Sequence, residues 1–228
     1  VIEEYDLYGD CRFAGDLGGD ILECRRLPDG RIFVMIGDVS GHGTASALLM
    51  AYVKAVVTLW IQDPDSRLED LMLQLDRMLR ADQVSGRFLA MFACVLDPRT
   101  HELAWVSGGH PFPLRRQADQ TVTFLGHPCY PLGSRDQACQ PQVRRFVVEP
   151  GESLWLYTDG LVEALDATGR ELGYQALADW VSRHGDAGTA SERVKALQRL
   201  HDERVYKTDD DVTLLVLCRH RRGPGGDA

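Results

Sequence analysis

The chain has 228 residues, of which 44% are hydrophobic and 26% are charged, and its formal net charge is −9. This length can bury a sizeable core and favours one domain, and the composition is ordinary for a soluble globular protein. The acidic balance argues against nucleic acid as a partner, because phosphate contacts need clustered Lys and Arg and the chain has no long basic run.

The cysteines and the apolar segments point to a cytoplasmic setting. The six cysteines form no C-x-x-C pair and no zinc-binding spacing with histidine. No signal peptide is visible, and the longest apolar stretch, residues 45–57, is interrupted by Ser46 and Lys54, so we expect no membrane insertion. Because the chain starts at Val1, we interpret it as a domain cut from a longer protein.

Periodicity and turn residues predict the elements in chain order. Strands are predicted at 5–12, 21–27 and 31–36, followed by helices at 44–61 and 66–80. Strands are then predicted at 88–96, 102–106, 113–116, 121–124, 143–148 and 153–157, followed by helices at 175–183 and 190–205 and a strand at 212–218. Capping boxes are predicted at Ser66 with Glu69 and at Thr189 with Glu192.

The first of these helices, 44–61, is apolar nearly all round, with Lys54 as its only charge. Such a helix is expected to pack against a core. The basic and glycine-rich residues 219–228 are predicted to form a flexible tail after a domain that spans residues 1–218.

The order of the elements predicts an α+β fold. Two pairs of helices lie between blocks of strands and do not alternate with single strands. This order favours two mostly antiparallel sheets packed face to face, with the helices outside.

Acidic residues stand at the ends of several predicted strands. Asp38 lies in the segment Gly-Asp-Val-Ser-Gly-His-Gly at residues 37–43, and Asp159 follows the apolar strand 153–157. Asp20 follows two glycines, and three acids at 209–211 precede the last strand. Together these acids predict one oxygen-rich metal site built from distant parts of the chain.

Carboxylates are hard ligands that suit magnesium, manganese or calcium. If Asp20, Asp38, Asp159 and Asp210 converge, each pair about 5 Å apart repels by roughly 3 kcal/mol at an effective dielectric constant near 20. Divalent ions would offset this repulsion, and two ions bridged by one carboxylate would lower the pKa of a shared water. This chemistry favours phosphoester hydrolysis.

Each motif also has a simpler interpretation when it is taken alone. Gly-Gly-Asp at 18–20 is typical of a turn, Thr-Asp-Gly at 158–160 of a helix N-cap, and the acids at 209–211 of a solvated loop. The 37–43 segment could cradle a phosphate, although it lacks the Lys of a P-loop. Periodicity and composition do not bring the four segments together.

In their order and spacing, the segments resemble the metal-dependent protein phosphatase (PPM) family, and within it the bacterial SpoIIE/RsbU-type serine/threonine phosphatases. The resemblance runs from about residue 9 to residue 218. It is carried by Gly-Gly-Asp at 18–20, the 37–43 segment, Ser-Gly-Gly-His-Pro at 107–111, Tyr-Thr-Asp-Gly at 157–160 and Asp-Asp-Val-Thr at 210–213.

The resemblance implies an α-β-β-α sandwich with two Mn²⁺ or Mg²⁺ ions at one edge of the sheets. Asp38 matches the acid that bridges both ions, and the backbone carbonyl of Val39 matches a further ligand. The remaining carboxylate positions match Asp20, Asp159 and Asp210, and Asp211 is expected behind them, in contact with ligands and not with the ions.

The resemblance also implies a reaction. A metal-bridging water attacks the phosphorus of a phosphoserine or phosphothreonine in line, without a phospho-enzyme intermediate. His42 is a candidate for protonating the leaving oxygen, and His110 is interpreted as structural. No Arg near the N-terminal strands matches the phosphate-gripping Arg of the eukaryotic branch.

The expected substrate is a phosphorylated regulatory protein, in this branch a STAS-type anti-anti-sigma partner. A sensor or receiver domain is expected upstream in the same full-length chain, as in bacterial two-component signal transduction. One alternative is a non-catalytic adaptor module that binds a regulatory partner. Another is a phosphoesterase that acts on a nucleotide or other small molecule.

Overall fold

A computed structural model of the chain describes residues 4–15, 18–41, 43–63, 65–81, 86–134, 137–186, 188–204 and 210–221. Ten strands and five helices lie in these ranges. The strands form two antiparallel sheets of five strands each.

The first sheet has the strand order β1-β10-β9-β6-β7. Its strands are β1 (Tyr5–Arg12), β10 (Val212–Arg219), β9 (Ser153–Tyr157), β6 (Leu114–Arg116) and β7 (Val122–Phe124). The last strand of the chain is central in this sheet, because β10 pairs with β1 on one side and with β9 on the other. All residues of β9 and β10 are buried, as expected for strands covered on both faces.

The second sheet has the strand order β2-β3-β4-β5-β8. Its strands are β2 (Asp20–Arg26), β3 (Ile32–Val39), β4 (Leu89–Leu96), β5 (Glu102–Gly108) and β8 (Arg144–Val147). A tight turn joins β2 to β3, in which Gly30 adopts a φ of 91° and donates its N–H to Leu27 O. This turn fixes the register of the hairpin.

Helices cover the outer faces of both sheets. They are α1 (Thr44–Gln62), α2 (Leu68–Ala81), α3 (Asp159–Val162), α4 (Tyr174–His184) and α5 (Ala190–Arg204). In β3, Phe33 and Met35 pack in one core with α1 and α2, whereas the alternating residues Val34 and Ile36 pack against the first sheet. Successive side chains of a strand point to opposite faces, so β3 contacts the helices on one face and the first sheet on the other. The predicted α+β sandwich of two antiparallel sheets with helix pairs outside is confirmed.

The start of α2 corrects the predicted capping box at Ser66 and Glu69. The helix begins at Leu68, and Ser66 donates its hydroxyl to Trp60 O near the end of α1, at 2.5 Å. Glu69 accepts a hydrogen bond from the Arg67 guanidinium. The second predicted capping box is confirmed, because Thr189 N donates to Glu192 and Glu192 N donates to Thr189 Oγ1.

The expectation that α1 packs against a core is confirmed for one face of the helix, whereas its other face is exposed. Leu49 and Val53 lie in the core, whereas Leu48, Tyr52 and Leu59 are 59%, 64% and 69% exposed. Among the described helices, α1 is the one that is long and apolar enough to cross a membrane by length and composition, a test that the core helix of a soluble protein also passes, and the absence of membrane insertion stays a prediction.

The C-terminal strand runs one residue beyond the predicted domain boundary at 218. Arg219 is the last residue of β10, is 5% exposed, and donates to Glu4 and to Val148 O. Residues 222–228 lie outside the described residues, so the flexible tail stays a prediction.

Candidate metal centre

The β2–β3 hairpin places Asp20 and Asp38 side by side. The register of the two strands pairs Asp20 directly with Asp38. Directly opposed residues project to the same face of a sheet with their Cβ atoms roughly 5 Å apart. The hairpin alone therefore brings two of the predicted ligands together.

Asp159, Asp210 and Asp211 come from the first sheet. Strand β9 ends two residues before Asp159, and β10 begins directly after Asp211. The two strands are antiparallel neighbours, so these ends lie at the same edge. Gly160 is needed there, because a Cβ on it would lie 2.1 Å from Asp211 O.

Two threonine hydroxyls connect the two sheets through Asp20. Thr158 Oγ1 donates to Asp20 Oδ2 at 2.9 Å, and Thr213 Oγ1 donates to the same oxygen at 2.6 Å. Asp20 is only 3% exposed. These bonds fix one oxygen of the carboxylate and leave Oδ1 as the oxygen available for an ion.

Asp211 braces the segment that leads into β2. Its Oδ1 accepts the N–H of Ala14 at 2.8 Å, and its Oδ2 accepts the N–H groups of Gly19 and Asp20 at 2.7 and 3.3 Å. Because both oxygens are used by the backbone, this arrangement suits a supporting position behind the ligands, which is the role predicted for Asp211. Asp210, the predicted ligand, is exposed, and its Oδ1 accepts the N–H of Asp211.

Three oxygen atoms lie close to Gly19. A Cβ on this glycine would lie 2.8 Å from Asp38 Oδ1, 2.9 Å from Val39 O and 3.4 Å from Gly41 O. Val39 also donates its N–H to Gly19 O at 3.1 Å. Glycine at position 19 thus keeps open a space that is lined by a carboxylate oxygen and backbone carbonyls.

The acids of this edge raise one another's pKa values. Burial, and after it the charges of Asp20, Asp159, Asp210 and Asp211, raise the pKa of Asp38 to about 8. Burial raises the pKa of Asp20 to about 7, although its hydroxyl hydrogen bonds act in the opposite direction. Burial and the charge of Asp210 raise the pKa of Asp159. A bound cation would reverse these shifts.

This donor set fits a hard divalent cation. Carboxylate and carbonyl oxygens are the ligands that Mg²⁺ and Mn²⁺ take in proteins. In the part of the chain that the structure describes, no group of three or more His, Cys, Asp or Glu side chains is arranged to hold an ion by itself. The described carboxylates therefore form no ligand shell, and the shared ion site stays a prediction.

The motifs contain two histidines, His42 and His110. His42, the candidate proton donor, lies outside the described residues. His110 is 3% exposed, its Nδ1 donates to Pro111 O at 2.8 Å, and burial lowers its pKa to about 4. These contacts fit the structural role that was expected for His110.

The sequence analysis missed three residues that support the site. Thr158 and Thr213 lie inside the quoted motifs, but nothing in a linear motif shows that both hydroxyls meet on Asp20. Arg87 donates to Ser40 O at 2.6 Å and to Ser46 Oγ at 2.9 Å. It thereby ties the loop after Asp38 to the first turn of α1, and no local sequence signal marks it.

The chain resembles known proteins over most of its length. The phosphoserine phosphatase RsbP of Bacillus subtilis (strain 168) is 26% identical over 209 residues, which cover 89% of this chain and 50% of RsbP. The chain thus spans about half the length of this curated relative.

Solved structures share the fold. The structure of the RsbU and RsbW domains of a Mycobacterium tuberculosis protein has a TM-score of 0.78 at 25% identity, and the match covers 97% of this chain and 61% of that one. The structure of RsbX in complex with magnesium has a TM-score of 0.68 at 13% identity, with coverage of 94% and 95%. At such identity the second likeness shows the fold alone.

A family model described as Stage II sporulation protein E (SpoIIE) matches residues 28–220. This range contains Asp38, Asp159 and Asp210, whereas Asp20 lies before it. The resemblance inferred from the five motifs is thereby confirmed: the chain belongs to the SpoIIE family.

Proposed function

We propose that this chain is a metal-dependent serine/threonine protein phosphatase that hydrolyses a phosphoserine or phosphothreonine of a regulatory protein. The observation that carries the proposal is the cross-strand pair of Asp20 and Asp38, which faces Asp159 and Asp210 from the other sheet. Family membership and the phosphoserine phosphatase activity in the name of RsbP support it.

Two Mn²⁺ or Mg²⁺ ions would be held by the carboxylates of Asp20, Asp38, Asp159 and Asp210 and by the carbonyl of Val39. When bound, the ions supply a water of lowered pKa as the nucleophile and offset the charge of the phosphate. The magnesium in the RsbX structure supports this choice of ion. Asp38 is proposed as the ligand that both ions would share, because it matches that acid in the family resemblance.

The protein's own residues hold the acids in place and leave room for a cation. Thr158 and Thr213 fix Asp20, and Asp211 holds the backbone of Gly19. The missing side chain at Gly19 leaves room for a cation beside Asp38 Oδ1 and Val39 O. His42 stays a candidate for protonating the leaving oxygen.

Attack by water, without a phospho-enzyme, agrees with the state of the nearby thiol. Cys11 Sγ lies 2.9 Å from Thr213 Oγ1, and the same hydroxyl contacts Asp20 Oδ2. Burial raises the pKa of Cys11 to about 11, so the thiol is protonated near neutral pH and is a poor nucleophile. Water is the nucleophile that the family resemblance implies.

We further propose that the substrate is a STAS-type protein and that a sensor or receiver domain of the full-length chain controls the activity in the cytoplasm. The pairing of RsbU and RsbW domains in the M. tuberculosis protein supports a place in a partner-switching system. The half of RsbP that this chain does not match leaves room in such relatives for a regulatory part.

The test is manganese-dependent hydrolysis of p-nitrophenyl phosphate and of a phosphoserine peptide. Asp38→Ala and Asp159→Ala should each lower kcat/KM by about 100-fold or more, since each removes a ligand charge. Asp65→Ala, at an exposed acid in the α1–α2 loop, is the matched control and should retain activity.

Folded protein without manganese- or magnesium-dependent hydrolysis of either substrate would overturn the proposal. Binding of a regulatory partner by such protein would point instead to an adaptor. Hydrolysis of nucleotides in clear preference to phosphopeptides would point to a small-molecule phosphoesterase.

A further inference from the structure

A cavity of about 530 Å³ opens beside Asp159. Aromatic rings of Phe112, Phe124 and Tyr174 form much of its wall, and Phe124 and Tyr174 are 39% and 43% exposed. The cavity adjoins the proposed metal centre through Asp159, so a substrate segment whose phosphate lies at that centre can also reach the cavity.

The aromatic wall is built into the fold. Tyr157, the last residue of β9, donates its hydroxyl to Phe112 O at 2.8 Å, and its ring lies 6.4 Å from that of Tyr174. A Cβ on Gly126 would lie 2.0 Å from the Phe112 ring. The position of Phe112 is thus set from both sides, which is expected of a preformed pocket.

The rim of the cavity is acidic. Glu163, at the end of α3, is exposed and lines the cavity together with Asp159. Burial, and after it the charges of Glu163, Asp159 and Glu171, raise the pKa of Tyr174. Asp159 and Glu163 thus place two carboxylates at the cavity, and Glu171 acts on the neighbouring Tyr174. Glu163 and Glu171 are not proposed metal ligands, so their charge remains when ions are bound.

A buried acceptor lies in the wall. His110 lines the cavity and is 3% exposed, and its Nδ1 donates to Pro111 O. The ring is neutral, so Nε2 carries a lone pair and can only accept a hydrogen bond. Among the described residues, nothing donates to Nε2, which is buried within the wall and is not open to the cavity.

We propose that this cavity binds an arginine or lysine side chain of the substrate phosphoprotein, close in sequence to the phosphorylated residue. The proposal rests on the proposed phosphatase function and deepens it. Aromatic rings attract cations, and an acidic rim pairs with them. An apolar side chain would leave the acids unmatched, and an acidic one would be repelled.

Arginine is favoured over lysine. Its planar guanidinium stacks on aromatic rings and presents five donors at once, whereas an ammonium is a strongly hydrated point charge. The rings of Phe112, Phe124 and Tyr174 and the carboxylates of the rim match this combination.

The experiment compares phosphoserine peptides that carry arginine or its neutral isostere citrulline at each flanking position, with the manganese-loaded chain. At one position or more, kcat/KM should be about tenfold higher for arginine. Glu163→Gln should reduce this preference by roughly threefold, since it removes one exposed charge. Phe124→Leu should reduce it as well, because it keeps an apolar wall but removes the ring face.

The matched control is Glu149→Gln, which makes the same charge change before β9, at the opposite end of that strand from Asp159. It should leave the preference for arginine unchanged. Activity on p-nitrophenyl phosphate is measured for every variant, and dividing by it separates a loss of recognition from a general loss of activity.

A second readout does not depend on hydrolysis. Fluorescence anisotropy with peptides that carry a non-hydrolysable phosphonate should give the same arginine preference in the dissociation constant. Equal binding of arginine and citrulline peptides, or equal effects of Glu163→Gln and Glu149→Gln, would overturn the cavity proposal while leaving the phosphatase proposal intact. Loss of hydrolysis together with arginine-selective binding would overturn the phosphatase proposal alone.

Discussion

The carboxylate of Asp20 is positioned by two residues that do not themselves carry charge. Thr158 and Thr213 both donate to its Oδ2, and Thr213 is fully buried. Hydrogen bonds to ligating carboxylates orient them for the ion, and their loss typically lowers metal affinity by about 10–100-fold. The hydroxyl of Thr213, at 2.6 Å, makes the shorter of the two contacts.

We predict that Thr213→Val lowers manganese affinity by about tenfold or more, because valine keeps the shape of the side chain but cannot donate to Asp20. Isothermal titration of manganese into the metal-free protein measures the effect. Thr123→Val, at an exposed position in β7, is the control and should bind manganese as the wild type does. Unchanged affinity in Thr213→Val would show that Asp20 does not depend on this hydroxyl.

The acids could be predicted as single residues, but their supports could not. Asp20, Asp38 and Asp159 stand beside glycines in short motifs, which a single sequence shows. The meeting of Thr158 and Thr213 on one oxygen depends on the register of β9 with β10 and on the packing of two sheets. Such contacts join residues more than a hundred positions apart, and no local pattern encodes them.

Helix and strand positions were predicted well where periodicity was strong. Strands β1 and β9 match the predicted bounds, whereas α2 begins at Leu68 and not after Ser66. The capping box failed there because the hydroxyl of Ser66 bonds to Trp60 O. A Ser-x-x-Glu pattern specifies a possible cap, and the preceding helix competes for the same hydroxyl.

For helix α1, the sequence does not show which face is buried. Its composition predicts a helix that packs against a core, which is confirmed, but it does not predict which face is covered. Leu48 and Leu49 are neighbours in the sequence, but they are 59% and 6% exposed. A helix with apolar residues on every side gives no periodic signal of which face meets the sheet.

We predict that Leu49→Ala lowers the free energy of unfolding by about 3 kcal/mol, because it leaves a cavity between α1 and the second sheet. Leu48→Ala removes the same atoms from the exposed face and should change it by less than about 0.5 kcal/mol. Urea unfolding of both variants measures the difference. A similar loss in both would mean that the exposed face of α1 is buried in the folded protein under the conditions of the assay.

At the scale of the whole molecule, the proposed metal centre lies where the two sheets meet. Asp20 and Asp38 belong to one sheet, and Asp159 and Asp210 follow or precede strands of the other. The sequence predicted two sheets face to face, but which strand ends share an edge followed only from the family resemblance. Ions at this edge would connect the sheets and remove the repulsion between their acids.

We therefore predict that manganese stabilises the whole fold and that Asp38 controls the effect. Manganese at about 100 times its dissociation constant should raise the free energy of unfolding by about 2.7 kcal/mol, and a chelator should reverse the gain. Since the folded state raises the pKa of Asp38, its charged form opposes folding above the usual pKa of an aspartate. Asp38→Asn should thus stabilise the metal-free chain by roughly 1 kcal/mol and abolish most of the response to manganese.

Thermal unfolding with manganese and with chelator tests both parts of this prediction. Among the described residues, no N–H or O–H group donates to the Asp38 carboxylate, so asparagine removes charge there without breaking a hydrogen bond. Asp65→Asn makes the same change in an exposed loop and should leave both the metal-free stability and the gain from manganese as they are. If Asp38→Asn instead weakens the metal-free protein, or keeps the full gain from manganese, the carboxylates of the two sheets do not repel one another across a shared ion site.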